Sequence, residues 1–138
     1  MAKKTYHGSC HCGRVRFQAD IDLSAGTGKC NCTYCTKVRN WNVILKPDAL
    51  HDVQGEEHLT AYWDSRRPET FGKHMFCKHC GVRTFDRGHL EEIGGDYVSI
   101  ALASLDDASI DELVGGPVRF ADGRSDNWLN PPADTRNL

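Results

Sequence analysis

The chain has no long hydrophobic run, no block of one charge, no internal repeat and no low-complexity segment. No stretch approaches the ~20 consecutive apolar residues needed to cross a bilayer. The opening Met1-Ala2-Lys3-Lys4-Thr5-Tyr6-His7 lacks the apolar segment of a secretion signal. The expectation is a cytoplasmic protein with no membrane partner. The 17 basic and 19 acidic residues leave a formal charge of −2. The basic field that drives sequence-independent nucleic-acid binding is therefore absent, and no nucleic-acid partner is expected. At 138 residues the length is that of one domain, 1–138, but apolar residues make up only 39%. That is below the usual ~45–50%, so a metal staple would add useful stability to a core of this size.

What the chain has instead is cysteine. Seven residues fall into Cys10-His11-Cys12, Cys30-Asn31-Cys32-Thr33-Tyr34-Cys35 and Cys77-Lys78-His79-Cys80. A disulfide within Cys-x-Cys is strained, seven is odd, and in a reducing compartment such clusters mean metal or redox chemistry. Cys30, Cys32 and Cys35 lie within six consecutive residues, so one turn of backbone can converge three sulfurs on one ion. Cys10/Cys12 and Cys77/Cys80 are then two claws that together close a four-thiolate site, stapling the N-terminal segment to the middle of the chain. A competing partition places Cys10, Cys12, Cys30 and Cys32 on one ion and leaves Cys35 with Cys77 and Cys80, which splits the tripod. Two Zn²⁺ per chain are expected. Seven thiolates less two dications add three negative charges, taking −2 to −5. Four thiolates satisfy tetrahedral zinc, whereas three leave a position for water, a substrate or a histidine. His11, His74 and His79 are the histidines nearest a knuckle.

The remaining sequence reads as mainly β. Gly13–Asp20 alternates Val15, Phe17 and Ala19 against Arg14, Arg16 and Gln18, the period of a half-buried strand. Trp41–Lys46 is a second strand, stopped by Pro47, and Leu59, Ala61 and Trp63 alternate with polar neighbours in a third. His74-Met75-Phe76 enters the Cys77–Cys80 knuckle and Val82–Phe85 leaves it, as on a hairpin-like turn. Asp96–Leu102 is a strand after the Gly94-Gly95 turn, and Val118–Phe120 a last short one. Asp106–Leu113 is expected to be a helix with acids at its N-terminal end. The tail 130–138, with Pro131-Pro132, reads as irregular.

The run Tyr6-His7-Gly8-Ser9-Cys10-His11-Cys12-Gly13-Arg14-Val15-Arg16-Phe17, followed by Cys30-x-Cys32-x-x-Cys35-Thr36-Lys37 and by Phe76-Cys77-Lys78-His79-Cys80-Gly81, resembles the glutathione-dependent formaldehyde-activating enzyme family. The resemblance covers about 6–102 and all seven cysteines in order. It implies an Mss4-like fold of twisted, zinc-stapled β-sheets with one or two short helices. It also implies structural zinc on Cys10, Cys12, Cys77 and Cys80, with a substrate-side zinc on Cys30, Cys32 and Cys35. The chain departs from the family in being shorter than the members that name it. Asn31 also stands where many carry His or Gly, and Trp41 where a small residue is common.

Three thiolates make zinc a soft, weak Lewis acid that prefers sulfur as its fourth ligand. That favours a reaction in which a thiol adds to a carbonyl, or the reverse carbon–sulfur cleavage. A small thiol such as glutathione is the expected partner. Lys37 and Arg39 are candidates to hold its carboxylates, and Arg66-Arg67 form a second basic pair. Trp41 is a candidate pocket wall, while Trp63 reads more readily as core. Asp122–Trp128 is a polar loop that either folds over the open site or is a turn held by its own Asp and Asn side chains. Three function classes fit these residues: a carbon–sulfur lyase-type enzyme, a zinc-dependent interaction module, and a metal- or redox-handling protein. A concave, basic-rimmed pocket at the tripod favours the first, and an exposed apolar patch the second.

Overall fold

The computed structural model describes residues 3–68 and 72–138. Among them the strands are β1 (Lys4–Ser9), β2 (Arg16–Ile21), β3 (Thr27–Cys30), β4 (Asn42–Leu45), β5 (Leu50–Gln54), β6 (Leu59–Tyr62), β7 (His74–Cys77), β8 (Phe85–Leu90), β9 (Gly95–Ala101) and β10 (Val118–Ala121), with short helices α1 (Thr33–Val38) and α2 (Ile110–Val114). They form a three-stranded sheet β1-β2-β5, a five-stranded sheet β10-β3-β4-β9-β8 and a two-stranded ribbon β6-β7. The fold is mainly β, as the sequence pattern indicates.

Strand alternation decides which faces meet. Val15, Phe17, Ala19 and Ile21 are buried from the first sheet, and Phe85, Val98 and Ile100 from the second. Phe17 on β2 meets Phe85 on β8 edge to face, 5.6 Å between ring centroids. In the antiparallel β4–β9 ladder Val43 lies opposite Ile100 and Leu45 opposite Val98, so these point to the core while Asn42, Ile44 and Ser99 face the other side. Pairing is antiparallel throughout except that β10 runs parallel to β3, with Ala121 opposite Cys30. This last strand therefore ends beside the tripod.

Gly8 lies opposite Phe17 in the β1–β2 ladder, and a Cβ there would strike the Phe17 ring. Gly8→Ala should cost about 1–3 kcal/mol, as overpacking does in a filled core, and a lowered urea midpoint with unchanged metal content would show it.

Two expectations are corrected. The helix expected over Asp106–Leu113 begins only at Ile110, because Ser109 caps it in a reciprocal box with Glu112. The two preceding acids tie down β1 instead: Asp107 accepts from the His7 backbone N–H at 2.9 Å and Asp106 from Ser9 Oγ at 2.6 Å. The strand after Gly55 stops at Tyr62, and Trp63 is 42% exposed rather than buried. It follows a two-stranded ribbon with no sheet layer of its own to cover it.

Glu112 links α2 to the N-terminal strand, accepting from Lys4 Nζ at 2.8 Å and Tyr6 Oη at 2.5 Å. Lys4 first, then Tyr6, push its carboxyl down from the ordinary 4.5 to about 2. A depressed carboxyl stabilises the fold above its unfolded pKa and loses that contribution as pH falls through the folded value. Urea midpoints of wild type and Glu112→Gln should therefore differ near pH ~5 and converge toward pH ~2. No helix of the described residues is long and apolar enough to cross a membrane.

Candidate active site

Each claw closes on a glycine turn. Cys10 follows β1, and its carbonyl accepts from Gly13 N–H at 3.1 Å. Cys77 ends β7, and its carbonyl accepts from Gly81 N–H at 2.8 Å. Gly13 and Gly81 have φ of 80° and 77°, a left-handed turn that glycine adopts without strain. Backbone N–H groups of Val15 and His79 then point at the Cys10 and Cys77 sulfurs, at 3.4 Å each.

These turns bring Cys10, Cys12, Cys77 and Cys80 together with all four sulfurs within 4.8 Å of one another, and Cys30, Cys32 and Cys35 form a separate group on the same criterion. This is the claws-and-tripod grouping. The seven cysteines are free thiols, and among the described residues no histidine joins either group.

The donor geometry fits a metal. Sulfurs on a tetrahedral zinc at ~2.3 Å stand ~3.8 Å apart. Here Cys10 and Cys12 are 3.6 Å apart and Cys12 and Cys77 3.7 Å. Both clusters can hold metal ions, and a mild chelator should strip them unequally. The tripod should empty first and the four-sulfur site later, as read by metal analysis against chelator concentration.

The tripod rests on a helix start. Cys30 closes β3, and Cys32 is the N-cap of α1, its sulfur accepting from Cys35 N–H at 3.3 Å. Cys32 N–H points at Cys30 Sγ at 3.3 Å, and the buried Asn40 offers its side-chain amide to Cys35 Sγ at 3.6 Å. Contacts from Cys30 and Cys35, helped by the Cys35 and Tyr34 backbone N–H groups, push the Cys32 thiol far down. Cys30 and Cys32, followed by burial, push Cys35 up. A dication bound by the three sulfurs would favour the thiolate form of each and release the protons they hold.

The tripod opens on a cavity of about 970 Å³, at the upper end of small-molecule sites. The four-sulfur group does not line it. Cys30, Cys32 and Cys35 do, with Ile44 and Ser99 from the outer face of the five-stranded sheet and Trp63 and Trp128 from loops. Among the described residues the lining carries eight Lys and Arg against five Asp, in a chain whose formal charge is −2. The cavity is cationic where the protein is not.

A family model for the glutathione-dependent formaldehyde-activating enzyme matches residues 5–115. The chain belongs to this family. A crystal structure of a Rhodobacter sphaeroides protein is similar, with TM-score 0.63 and 26% identity, covering 81% of this chain and 98% of that one.

All seven cysteines fall inside the matched residues of this family member, but the segment that covers its tripod lies beyond them. Of the two readings of Asp122–Trp128 the first describes the loop after β10: it folds onto the tripod, and its turn is closed by backbone bonds from the Ser125 and Asn127 N–H groups to the Asp122 carbonyl rather than by its own side chains. Asn31, between two tripod cysteines, donates from its side chain to Asp122 Oδ1 at 2.9 Å and accepts the Arg124 N–H at 3.0 Å. From the other side Arg67 donates to the Gly123 carbonyl at 3.1 Å, pairs with Asp126 and lies over the Trp128 ring. Arg67 lines the cavity, whereas Arg66 pairs with Asp64.

Lys37, Arg39 and Trp41 are placed otherwise. None is among the residues lining the large cavity. Lys37 sits in the last turn of α1, Arg39 donates to the Asn137 carbonyl at 2.5 Å, and Trp41 packs on the core with Nε1 donating to Thr27 Oγ1 at 2.8 Å. The groups that do line it arrive from distant strands and loops. Among them Arg67, Trp63, His74 and Trp128 carried a sequence signal, as half of a basic pair, an isolated aromatic, a histidine near a knuckle and the end of a polar loop.

Proposed function

We propose that this chain is a zinc-dependent, carbon–sulfur lyase-type enzyme that makes or cleaves the adduct of a small thiol and an aldehyde, such as S-hydroxymethylglutathione. The observation that carries the reading is the separation of the two cysteine groups. The four-sulfur group stands off the cavity, while the three sulfurs of the other lie in the wall of a cationic cavity. When bound there, zinc supplies a soft position that prefers a thiolate.

The chain's own residues do the rest. Cys30, Cys32 and Cys35 hold the ion from one side, fixed by the N–H groups of Cys32, Cys35 and Asn40. The Gly123 loop narrows the approach. Arg67, Lys73 and Arg119 in the lining are placed to meet the carboxylates of a peptide thiol. Family membership adds glutathione as the first thiol to try. The interaction-module reading has less behind it: Ile110 and Val114 are exposed, but two neighbouring side chains on a five-residue helix make a small patch.

The test is the exchange rate between free formaldehyde, glutathione and their adduct, followed by magnetization-transfer NMR with metal-replete protein. Acceleration by the wild type and its loss in Cys35→Ser is the expected result. No acceleration by the wild type with any small thiol and aldehyde pair would discard the enzyme reading.

A further inference from the structure

Two histidines line the cavity, His74 and His89, and their surroundings separate them. His89 has both ring nitrogens engaged, Nδ1 with Asp96 at 2.8 Å and Nε2 with Glu91 at 2.9 Å. His74 has Nδ1 at 3.6 Å from Asp86 Oδ2, and its Nε2 has no hydrogen-bond partner among the described residues. Its ring stacks on Tyr34, the residue immediately before Cys35, with centroids 3.5 Å apart and planes 11° from parallel. Because Tyr34 belongs to the tripod segment, this stacking ties the imidazole to that segment, and both line the same cavity.

The surroundings of His74 hold it in that place. Tyr62 from β6 lies nearly parallel to both rings, 6.0 Å from Tyr34 and 6.2 Å from His74. Asp86 from β8 accepts from the Met75 backbone N–H at 2.7 Å and from Arg83 Nη2 at 2.8 Å. Arg83 reaches on to Asn40, the residue that contacts Cys35, and lies over the Tyr34 ring. Among the described residues, Asp86 and Arg83, with the Tyr34 and Tyr62 phenols and the adjacent Lys73, are the charged and titratable groups around the imidazole. Other lining groups suit proton transfer less well. Burial, then Asp86, pushes the Tyr97 hydroxyl up to about 12, and the Asp64 carboxylate is committed to Arg66.

We propose that His74 is the proton-transfer residue of the cavity, and that Asp86 positions its ring. The inference rests on the thiol–carbonyl reading. In the forming direction the imidazole takes the proton from the thiol and the sulfur bonds to the carbonyl carbon. The π electron pair moves to oxygen, and the imidazolium returns the proton there. The net change is thiol plus aldehyde to hemithioacetal, with no redox partner. Cleavage is the reverse.

The test compares wild type, His74→Gln and His89→Gln in the formaldehyde–glutathione exchange assay across pH ~6–9, the range in which an imidazole changes charge. His74→Gln should lower the rate on the order of 10²-fold or more and remove one limb of the pH profile. Metal content and thermal midpoint should stay those of the wild type, and His89→Gln should keep both limbs of the pH profile and lower the rate far less than His74→Gln. Asp86→Asn, which keeps an oxygen for the Met75 amide, should lower kcat with KM unchanged. In ¹⁵N-histidine-labelled protein the His74 ring signals should move when the adduct is added. If the wild type shows no acceleration, the thiol–carbonyl reading falls and this proposal with it. If the wild type accelerates exchange and His74→Gln matches it, or if the His74 ring signals do not move, the assignment of His74 alone is overturned.

Discussion

Cys77→Ser should not fold to a stable protein in metal-replete buffer, whereas Cys35→Ser should fold and retain one of two metals. Cys77 is fully buried at the end of β7, and its partner Cys10 is nearly so just after β1. The site they share joins segments 65 residues apart between Cys12 and Cys77. Apparent binding free energies of structural zinc sites reach about 10–16 kcal/mol, as large as the ~5–15 kcal/mol that separates a whole domain from its unfolded state. Removing one thiolate also leaves three sulfurs, with Cys10 buried among them, around an under-coordinated ion. The tripod closes no comparable loop, since its three ligands lie on one strand end and one helix start. Its loss should change chemistry more than fold. Circular-dichroism melts paired with metal analysis decide the matter, and a Cys35→Ser variant that melts below Cys77→Ser would reverse the roles given to the two sites.

The grouping of the cysteines was legible because ligand spacing is a local property, and so was β2, whose two-residue period survives in the buried Val15, Phe17 and Ala19. Sheet order was not. Nothing in Thr27–Cys30 or Val118–Ala121 announces that they pair in parallel across some ninety residues, although that pairing delivers the Gly123 loop to the tripod. Helix α1 was hidden for a related reason. Its N-cap is Cys32, a residue that ordinarily carries no capping signal, and its sequence has no apolar period. Lys37 shows how proximity in sequence can mislead once a helix is present. Two residues beyond Cys35 is more than half a turn around α1, so the two side chains do not share a face. Arg67 and Arg119, remote in sequence, reach the cavity instead. Asp106 and Asp107 resemble the start of a helix because acids favour that end. Ser109 competes for the same role with a full capping box, which frees the two acids to hold β1.

Gly123→Ala should weaken metal binding at the tripod on the order of 10–100-fold, as loss of outer support does at other metal sites, and leave the four-sulfur site untouched. Gly123 is buried in the turn after β10, and a Cβ there would lie 2.5 Å from Cys30 Sγ and 2.5 Å from the Trp128 ring. Neither neighbour is the free end of a flexible chain. Cys30 is fixed by its ladder partner Ala121, and Trp128 lies under the Arg67 guanidinium. The sulfur must therefore move, and metal–ligand distances tolerate only about 0.2 Å. Asn31→Ala provides the contrast, because it removes the bonds to Asp122 and the Arg124 N–H without pressing on any sulfur. That variant should raise hydrogen exchange in the 122–130 loop while metal affinity changes less than in Gly123→Ala. Competition titrations with a chromophoric chelator would read both sites in each variant, the four-sulfur site serving as the internal control. Equal affinity at the tripod in wild type and Gly123→Ala would show that the loop lies over the sulfurs without constraining them.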